Sequence, residues 1–214
     1  MNKFMFRFVK TALTATALIA ATVTSSMAAE ALRVCSDPDN LPFSKSEGAD
    51  KGLYIELADM VGQRMGAKVE YVWWLSFNQR KALRNTMEGC DAYFALPADA
   101  EYKVKGLAKT NAFLNVSYAI VAPKGLTVTT LSDLKPKKIG VLHASPPQIL
   151  LASKGSYTTS IFRSQEEAFE ALNKKEIDAA LLWGPSAGFD NKKLFDNRWQ
   201  VIPINGEGLG GQVA

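Results

Sequence analysis

The sequence predicts an α/β protein with two lobes, each built from a parallel-rich sheet flanked by helices. Segments with a strand pattern alternate with segments with a helical pattern, and this alternation occurs twice along the chain. Both halves also end alike: residues 88–92 read Glu-Gly-Cys-Asp-Ala and residues 175–179 read Lys-Glu-Ile-Asp-Ala. Each ending begins a strand that reaches a proline, Pro97 or Pro185. Parallel strands are joined by crossover helices, so two α/β units are expected.

The first half is expected to contain three strands separated by two helices. The strands are predicted at Leu32 to Ser36, Lys68 to Trp74 and Cys90 to Leu96, and the helices at Gly52 to Met65 and Phe77 to Met87. The first helix is indicated by one helical stripe of apolar residues, Leu53, Leu57, Met60, Val61 and Met65, and Gly66 ends it. Arg80 and Arg84 lie one turn apart on the second helix. This spacing is typical of an exposed face; contact with an anion or a partner protein is the alternative.

The second half repeats the pattern. Strands are predicted at Ser117 to Ala122, Lys138 to Leu142, Thr158 to Phe162 and Ile177 to Trp183, a helical turn at Thr130 to Leu134, and helices at Pro146 to Lys154 and Gln165 to Asn173. Prolines suit the start of a helix, because the N–H that they lack has no partner there. Ser164 and Glu167 form a capping box at the start of the last helix.

The predicted organisation is a signal peptide at residues 1–28, a first lobe at 29–116, a second lobe at 117–206 and the start of a return to the first lobe at 207–214. A lobe of this design needs a closing strand and helix from the end of the chain. We therefore expect the C-terminal part of the first lobe to be missing and the sequence to be truncated.

The N-terminal stretch has the pattern of a cleavable secretory signal peptide. Three basic residues precede an apolar run from Thr11 to Val23, and small residues surround a cleavage point after Ala28 or Ala29. The run is shorter than the ~20 apolar residues of a membrane span. We expect an exported, periplasmic protein without a membrane span after cleavage.

The charge balance gives little support to a nucleic-acid partner. The chain has 25 basic and 21 acidic residues, but residues 1–28 hold three of the basic residues and none of the acidic ones. Removal of this segment would leave 22 basic and 21 acidic residues. No basic surface that could follow a phosphate backbone is indicated.

The two cysteines, Cys35 and Cys90, could pair in an oxidising compartment. The predicted strands argue against pairing, because parallel neighbours with this offset would hold the two residues ~10 Å apart, beyond disulfide reach. Both outcomes remain open.

A stiff polar loop follows the first strand, at the sheet edge where ligands bind in open α/β folds. It supplies the candidate site residues Asp37, Asn40, Pro42 and Phe43. The Asp-Pro-Asp-Asn sequence begins like a calcium loop, but Pro42 and Gly48 stand where glycine and glutamate are required. Turn formation is the better interpretation, and no metal ion is expected.

Residues at other strand ends extend the predicted cleft. These are Trp73, Trp74, Pro97, Trp183, Gly184 and Pro185. Adjacent strand residues face opposite sides of a sheet, so core packing and recognition are both open for Trp73 and Trp74. Trp183 is the stronger cleft candidate, because Gly184 and Pro185 follow it directly.

The single histidine, His143, follows a strand at the mouth of the predicted cleft. A general base or a ligand could act there, but the sequence provides no evident acid partner, nucleophile or metal cluster. An enzyme is therefore not predicted and no cofactor is expected; a hydrolase that uses His143 is a third hypothesis.

Residues 130–141, Thr-Leu-Ser-Asp-Leu-Lys-Pro-Lys-Lys-Ile-Gly-Val, resemble the start of the second lobe in the type II periplasmic solute-binding protein superfamily, family 3. A narrower resemblance is to the MxaJ/XoxJ-like proteins that accompany quinoprotein (PQQ-dependent) methanol and alcohol dehydrogenases. Residues 33–44 carry it, together with Trp73-Trp74, the segment 79–86 and residues 183–188. It extends from about Leu32 to the end of the chain.

This resemblance also draws attention to differences from amino-acid binders of the superfamily. Tyr102 stands where those proteins carry an arginine that clamps the ligand carboxylate. Their second-lobe anion loop reads Ala144-Ser145-Pro146-Pro147 here, and two prolines remove two N–H donors. Trp183-Gly184 replaces an acidic residue. Tyr102 and Ser145 join the candidate cleft residues on this basis, and a zwitterionic amino acid is not expected as ligand.

The resemblance implies a periplasmic binding protein that binds a quinoprotein dehydrogenase, or a segment of it, and aids its activation or assembly. The alternative is a receptor that delivers a small ligand, other than a standard α-amino acid, to an ABC permease.

Overall fold

The computed structural model describes residues 30–75, 83–84, 88–204 and 206–214. The predicted signal peptide and Arg80 lie outside these residues. Of the predicted helix Phe77 to Met87, the structure describes Leu83 and Arg84, which are helical, and the Arg84 side chain is exposed. Across the described ranges, no helix combines the length and the apolar character that a membrane span requires.

A three-stranded parallel sheet forms the first half of the chain. Its elements are β1 (Leu32–Ser36), the hairpin β2 (Asp39–Asn40) and β3 (Ser44–Lys45), α1 (Leu53–Met65), β4 (Val69–Trp73) and β5 (Ala92–Tyr93). The sheet order is β4-β1-β5, and the hairpin lies off this sheet. The α/β prediction is confirmed here, whereas the hairpin was not anticipated.

Helix α1 packs with a face next to the predicted apolar stripe. Tyr54, Ile55, Ala58 and Gly62 are buried, whereas Leu53, Met60 and Met65 of the stripe are 41%, 56% and 60% exposed. A Cβ on Gly62 would lie 2.3 Å from Cγ2 of Val69, so the helix approaches the sheet through small residues. The hydrophobic periodicity of the sequence predicted a contact face displaced by about one residue from the face that is buried. Close packing selects small side chains as well as apolar ones, and periodicity does not register the small ones.

Cys35 and Cys90 form a disulfide, with 5.7 Å between their Cα atoms. Sequence reasoning left this open and argued against it on strand placement. That placement was wrong: β5 begins at Ala92, and Cys90 lies in the connection between the helical residues Glu88 and Gly89 and the strand. Cys35 still pairs with Tyr93, three residues after Cys90, but Cys90 precedes the strand, so the extended geometry that implied a ~10 Å separation does not apply to it.

A larger mixed sheet forms the second half. Its elements are β6 (Leu114–Pro123), a 3-10 turn (Leu131–Leu134), β7 (Lys138–Leu142), α2 (Pro146–Lys154), β8 (Thr158–Phe162), α3 (Gln165–Asn173), β9 (Ala179–Trp183), α4 (Gly184–Leu194), β10 (Trp199–Pro203) and β11 (Gly210–Val213). The order is β10-β6-β9-β7-β8, with β11 beside β6. Strands β7, β8 and β9 are parallel, and β6 runs antiparallel to its neighbours.

Fully buried side chains lie on both faces of this sheet. Ile139, Leu151 and Leu181 belong to one cluster, and Phe169 and Leu182 belong to the other. Strand β9 supplies both clusters from alternate residues, as expected for a strand covered on both faces. The second half therefore has a complete two-sided core.

Three elements of this half were not predicted as such: α4, β10 and β11, of which β11 lies in the predicted return segment 207–214. The segment Gly184–Leu194 has no clear apolar stripe, and its glycines at 184 and 188 have low helix propensity, so the sequence does not indicate a helix there. Pro185 lies in the first helical turn, where proline is favoured. Asn191 of α4 is 5% exposed and exchanges two hydrogen bonds with the backbone of Trp199, which joins the helix to β10.

Strands β6 and β11 connect the two sheets. The first part of β6 pairs with β11, and its later part pairs with β9 and β10. Val213 of β11 also bridges to Pro97, and the Ala214 N–H donates to the Leu96 carbonyl at 2.9 Å. The residue boundaries predicted for the two lobes stay a prediction.

Candidate functional site

A cavity of about 410 Å³ lies where the carboxyl ends of β1, β5 and β9 meet strands β6 and β11. Most of its lining is aromatic, aliphatic or glycine. The lining residues are Asn40, Phe43, Tyr54, Ala95, Pro97, Val116, Tyr118, Trp183 and residues 208–213. None of these described lining residues carries a formal charge. A volume in the range of about 300–1,000 Å³ and a largely apolar wall are typical of small-ligand sites.

The loop after β1 brings Asn40 and Phe43 to this cavity. Oδ1 of Asp37 accepts a hydrogen bond from the Asp39 N–H at 2.9 Å, which turns the chain into the β2–β3 hairpin. The Phe43 N–H then donates to the Asn40 carbonyl at 2.8 Å. Polar residues at the start of the loop thus form the turn that presents Asn40.

Phe43 is held against the start of α1. Its ring stacks on Tyr54 with 4.8 Å between centroids, and its carbonyl accepts the Tyr54 N–H at 2.7 Å. Gly52 makes this approach possible, because its φ is +95° and a Cβ there would lie 2.5 Å from the Phe43 carbonyl carbon. A side chain at residue 52 would displace the loop from the helix.

Trp183 reaches the cavity from the second sheet. It lies at the carboxyl end of β9, opposite Tyr118 of β6, and the two rings meet edge to face with 5.2 Å between centroids. Gly184 follows, and a Cβ on it would lie 2.5 Å from the carbonyl oxygen of Ser117. The sharp turn from β9 into α4 therefore needs glycine, and it directs Trp183 over the connecting strands.

The two tyrosines are the main polar groups of the wall. Burial raises the pKa of Tyr54 and of Tyr118, and the Tyr93 hydroxyl adds to the increase in the pKa of Tyr54. A phenol is protonated at neutral pH even at its ordinary pKa of about 10, so both hydroxyls can donate hydrogen bonds. Neither hydroxyl has a hydrogen-bond partner among the described residues.

The start of helix α2 offers no N–H group for an anion. The Ala144 N–H donates to the Gln148 side chain, and the Gln148 N–H donates to Ser145 Oγ. The N–H groups of His143, Ser145 and Ile149 donate to backbone carbonyls. Pro146 and Pro147 have none. Ser145 is thus a helix cap with its hydroxyl bonded to the Leu142 carbonyl at 2.7 Å, and it does not line the cavity.

Several other predicted site residues lie outside the lining. Tyr102 belongs to a turn, with the Lys109 ammonium 5.7 Å from its ring centroid. Tyr102 does not line the cavity, so it does not take the place of the arginine clamp there. His143 is exposed, one residue beyond β7. Trp73 stacks on Tyr71 at 5.3 Å, and Trp74 is 39% exposed.

Asp37, Pro42, Gly184 and Pro185 act on the backbone around the cavity and do not line it. Asp37 forms the turn, the Pro42 carbonyl accepts the Leu53 N–H at 2.9 Å, and Gly184 and Pro185 begin α4. Asn40, Phe43, Pro97 and Trp183 are the predicted residues that the fold does bring to one cavity.

Sequence reasoning missed Tyr54, Tyr118 and the glycine-rich segment 208–213. Tyr54 lies beside Leu53 in the predicted helix but outside its apolar stripe. Tyr118 lies inside a predicted strand whose antiparallel partner is 65 residues further along the chain. The glycines at 206, 208, 210 and 211 are the one signal in the sequence for a backbone that approaches the cavity closely.

Two contacts join the loops of the first sheet to α4. The Ser186 hydroxyl donates to the Leu41 carbonyl at 3.3 Å, and the Lys193 ammonium lies 2.8 Å from Oδ2 of Asp50. Both contacts span more than 140 residues of sequence. They hold the Asn40–Phe43 loop next to the helix that follows Trp183.

Two sheets joined by β6 and β11, with a cavity at the strand ends between them, define the type II periplasmic binding protein fold. Solved structures with this fold match the chain with high probability. The predicted fold class is therefore confirmed. No protein-family model matches the sequence, and no curated protein sequence matches it significantly.

The periplasmic binding protein XoxJ from Methylobacterium extorquens AM1 is 29% identical to the chain, with a TM-score of 0.62; the match covers 86% of this chain and 82% of XoxJ. An ancestral cationic amino acid solute binding protein is 21% identical, with a TM-score of 0.70 and coverage of 86% and 81%. An arginine transport system periplasmic binding protein from Legionella pneumophila is 18% identical, with a TM-score of 0.56 and coverage of 86% and 84%.

The last two similarities concern the fold alone. These three similar proteins are described as binding proteins and not as enzymes. Another structure of the ancestral protein is described as a precursor of cyclohexadienyl dehydratase, so a binding protein with this fold is also described as the precursor of an enzyme.

Proposed function

We propose that this chain is a periplasmic binding protein that binds a PQQ-dependent methanol or alcohol dehydrogenase, or a segment of it, and aids activation or assembly of the enzyme. The similarity to XoxJ supports this proposal, together with the sequence resemblance to the MxaJ/XoxJ-like proteins. The proposal places the chain in the periplasm after removal of the signal peptide, a compartment in which the Cys35–Cys90 disulfide is stable.

The observation that carries the proposal is the uncharged aromatic wall of the cavity. Transfer of a carboxylate or an ammonium group into such a site is costly unless an opposite charge or several hydrogen bonds replace the lost water. The α2 start has its N–H groups occupied, and Tyr102 does not reach the cavity. An apolar segment of a partner protein suits this wall better than a free amino acid does.

The proposal is tested by co-expression of the full chain, with its own leader, and the candidate quinoprotein dehydrogenase. We expect the dehydrogenase to co-purify with the tagged chain, or its fraction of bound PQQ to rise when the chain is present. An unchanged PQQ content together with no co-purification would contradict the proposal.

Two tryptophan variants provide a matched comparison. Trp183→Ala should reduce capture of the dehydrogenase at least several-fold, because this ring lines the cavity. Trp74→Ala should leave capture unchanged, because Trp74 is 39% exposed and lies outside the lining. Trp183 is only partly buried, so its loss should destabilise the fold by less than the ~3–5 kcal/mol of a fully buried aromatic residue. Urea unfolding measures this, and equal capture by both variants would exclude the cavity as the contact.

A receptor of an ABC transporter for a small ligand is the second candidate function. The cavity volume, which lies in the range of small-ligand sites, favours it. Such a receptor would show a rise in melting temperature with one metabolite in a screen, according to the linkage between binding and stability. A hit with micromolar affinity would rank this function above the first.

A further inference from the structure

The cavity wall combines aromatic rings from both halves of the chain. Phe43 and Tyr54 stack at 4.8 Å on one side, and Tyr118 and Trp183 meet edge to face at 5.2 Å on the other. All four residues line the same cavity of about 410 Å³. Aromatic walls of this kind favour a flat, apolar group, which can stack on one ring and meet the edge of another.

The polar groups of the wall select for an uncharged partner with hydrogen-bond acceptors. The hydroxyls of Tyr54 and Tyr118 have no hydrogen-bond partner within the described ranges. A phenol with an ordinary pKa of about 10 is a protonated donor at neutral pH, and burial raises the pKa of both tyrosines further. Asn40 contributes an amide to the lining, and Nε2 of Gln212 already donates to Asn115 Oδ1 at 2.9 Å. Carbonyl oxygens are neutral acceptors that such donors can bind.

A charged ligand finds no compensating group here. None of the described lining residues is charged, and the N–H groups from His143 to Ile149 that could receive an anion all have partners. Desolvation of a free carboxylate or ammonium group would therefore weaken binding.

From these contacts we propose that the cavity takes an uncharged aromatic side chain of a peptide segment, with adjacent peptide carbonyls accepting hydrogen bonds from Tyr54 and Tyr118. This inference rests on the proposed function and names the part of the dehydrogenase that the cavity would bind. Free aromatic molecules share this chemistry, and the experiment distinguishes the two sources.

The first test compares N-acetyl-tryptophanamide, which is uncharged, with free tryptophan, which has the same ring and two charges. Isothermal titration calorimetry on the full chain should give a dissociation constant at least tenfold lower for the amide. Equal or tighter binding of tryptophan, or no binding of the amide at millimolar concentration, would overturn the inference.

The second test removes one hydroxyl. Tyr118→Phe should weaken binding of the amide about three- to tenfold, the range expected for one neutral hydrogen bond. Tyr157→Phe is the matched control, because Tyr157 is a partly buried tyrosine of the second half that does not line the cavity. An unchanged affinity in Tyr118→Phe would remove this residue from the ligand contact and contradict the proposed hydrogen bond.

The third test separates the sources of the aromatic ring. The capped tripeptide Ac-Gly-Trp-Gly-NH₂ should bind more tightly than 3-methylindole, because only the peptide carries carbonyl acceptors. Equal affinity for 3-methylindole would assign the cavity to a free aromatic molecule and overturn the peptide proposal. Capture of the dehydrogenase without binding of the amide would refute this inference alone, whereas binding of the amide without capture would refute the proposed function alone.

Discussion

Single polar side chains complete the turns at the ends of the elements. Asp133 accepts hydrogen bonds at one carboxylate oxygen from the N–H groups of Thr129 and Thr130 and from both of their hydroxyls. These donors lower the pKa of Asp133 to about 2, the backbone N–H groups most of all. The contact caps the 3-10 turn in the connection between β6 and β7.

This contact predicts a pH-dependent stability. Because the folded pKa lies below the ordinary value of 3.8, the ionised carboxylate stabilises the fold above about pH 4, and this stability is lost as the pH falls towards about 2. We expect Asp133→Asn to lower the melting temperature at pH 7, and the difference from the wild-type protein to shrink between pH 4 and pH 2. Calorimetry across this range measures both.

The exposed residue Glu47 supplies the control for this pH series. The variant Glu47→Gln, which removes a carboxylate from an exposed side chain, should leave the melting temperature at pH 7 unchanged. A difference for Asp133→Asn that stays constant down to pH 2 would exclude the carboxylate as the titrating group.

At the scale of elements, the junction of β9 with α4 determines where Trp183 lies. Gly184 packs against the Ser117 carbonyl, Pro185 starts the helix, and Asn191 ties the helix to β10. The α2 start instead uses Ser145 and two prolines to close the helix end on itself. The two helix starts therefore have different roles: the start of α4 positions the Trp183 ring, and the start of α2 leaves no free N–H donor at the surface.

Two glycines of α4 allow the junction to be tested. Gly184→Ala should destabilise the protein by about 1–3 kcal/mol, because its Cβ would lie 2.5 Å from a backbone oxygen. Gly188→Ala should stabilise it by up to about 1 kcal/mol, because a Cβ there meets nothing within 4 Å and alanine favours the helix. Urea unfolding gives both values. Equal effects of the two substitutions would mean that the close approach at Gly184 does not constrain the turn.

The disulfide links β1 to the connection before β5 across 55 residues. In the chain-entropy account, a loop of this length contributes about 4 kcal/mol by restricting the unfolded chain. We expect the double variant Cys35→Ala/Cys90→Ala to lose stability of this order in urea unfolding. Dithiothreitol should lower the midpoint of the wild-type protein and leave that of the double variant unchanged. A reductant effect of equal size on both would point to a cause other than the disulfide.

At the scale of the whole molecule, the two sheets meet through β6, β11 and two contacts between loops of the first half and α4. The Lys193–Asp50 pair is 2.8 Å long, and its side chains are about half exposed. A pair of this kind contributes little, about 0–1 kcal/mol, and salt screens it. The relative position of the sheets therefore depends mainly on β6 and β11, and the ion pair adjusts it.

Charge reversal at this pair should weaken the contact between the Asp50 loop and α4. Lys193→Glu places two like charges together, so we expect a loss of stability of up to about 1 kcal/mol in urea unfolding at low salt, and a smaller loss in high salt. The double variant Lys193→Glu/Asp50→Lys should restore the wild-type value. Lys174→Glu is the control, because Lys174 pairs with Glu170 one helical turn before it, so Asp50→Lys should not restore its stability. Equal rescue of both variants by Asp50→Lys would mean that Asp50 does not act through Lys193.

Local signals in the sequence were sufficient for most elements of the second half. β7, α2, β8 and α3 have the predicted bounds, because caps, prolines and hydrophobic period act over a few neighbouring residues. The same signals failed for α4, which lacks an apolar stripe, and for β5, which is two residues long.

The sequence by itself determined the fold class, the strand ends that could meet and the loss of N–H donors at Pro146 and Pro147. Only the tertiary structure decided which residues share the cavity: Tyr54 and Tyr118 entered it, and Tyr102 and His143 did not. It also decided that Cys35 and Cys90 pair. The reason is physical: caps and helical patterns are set by adjacent residues, whereas a wall built from the β2–β3 hairpin, α1, β6, β9 and β11 depends on how elements distant in sequence pack together.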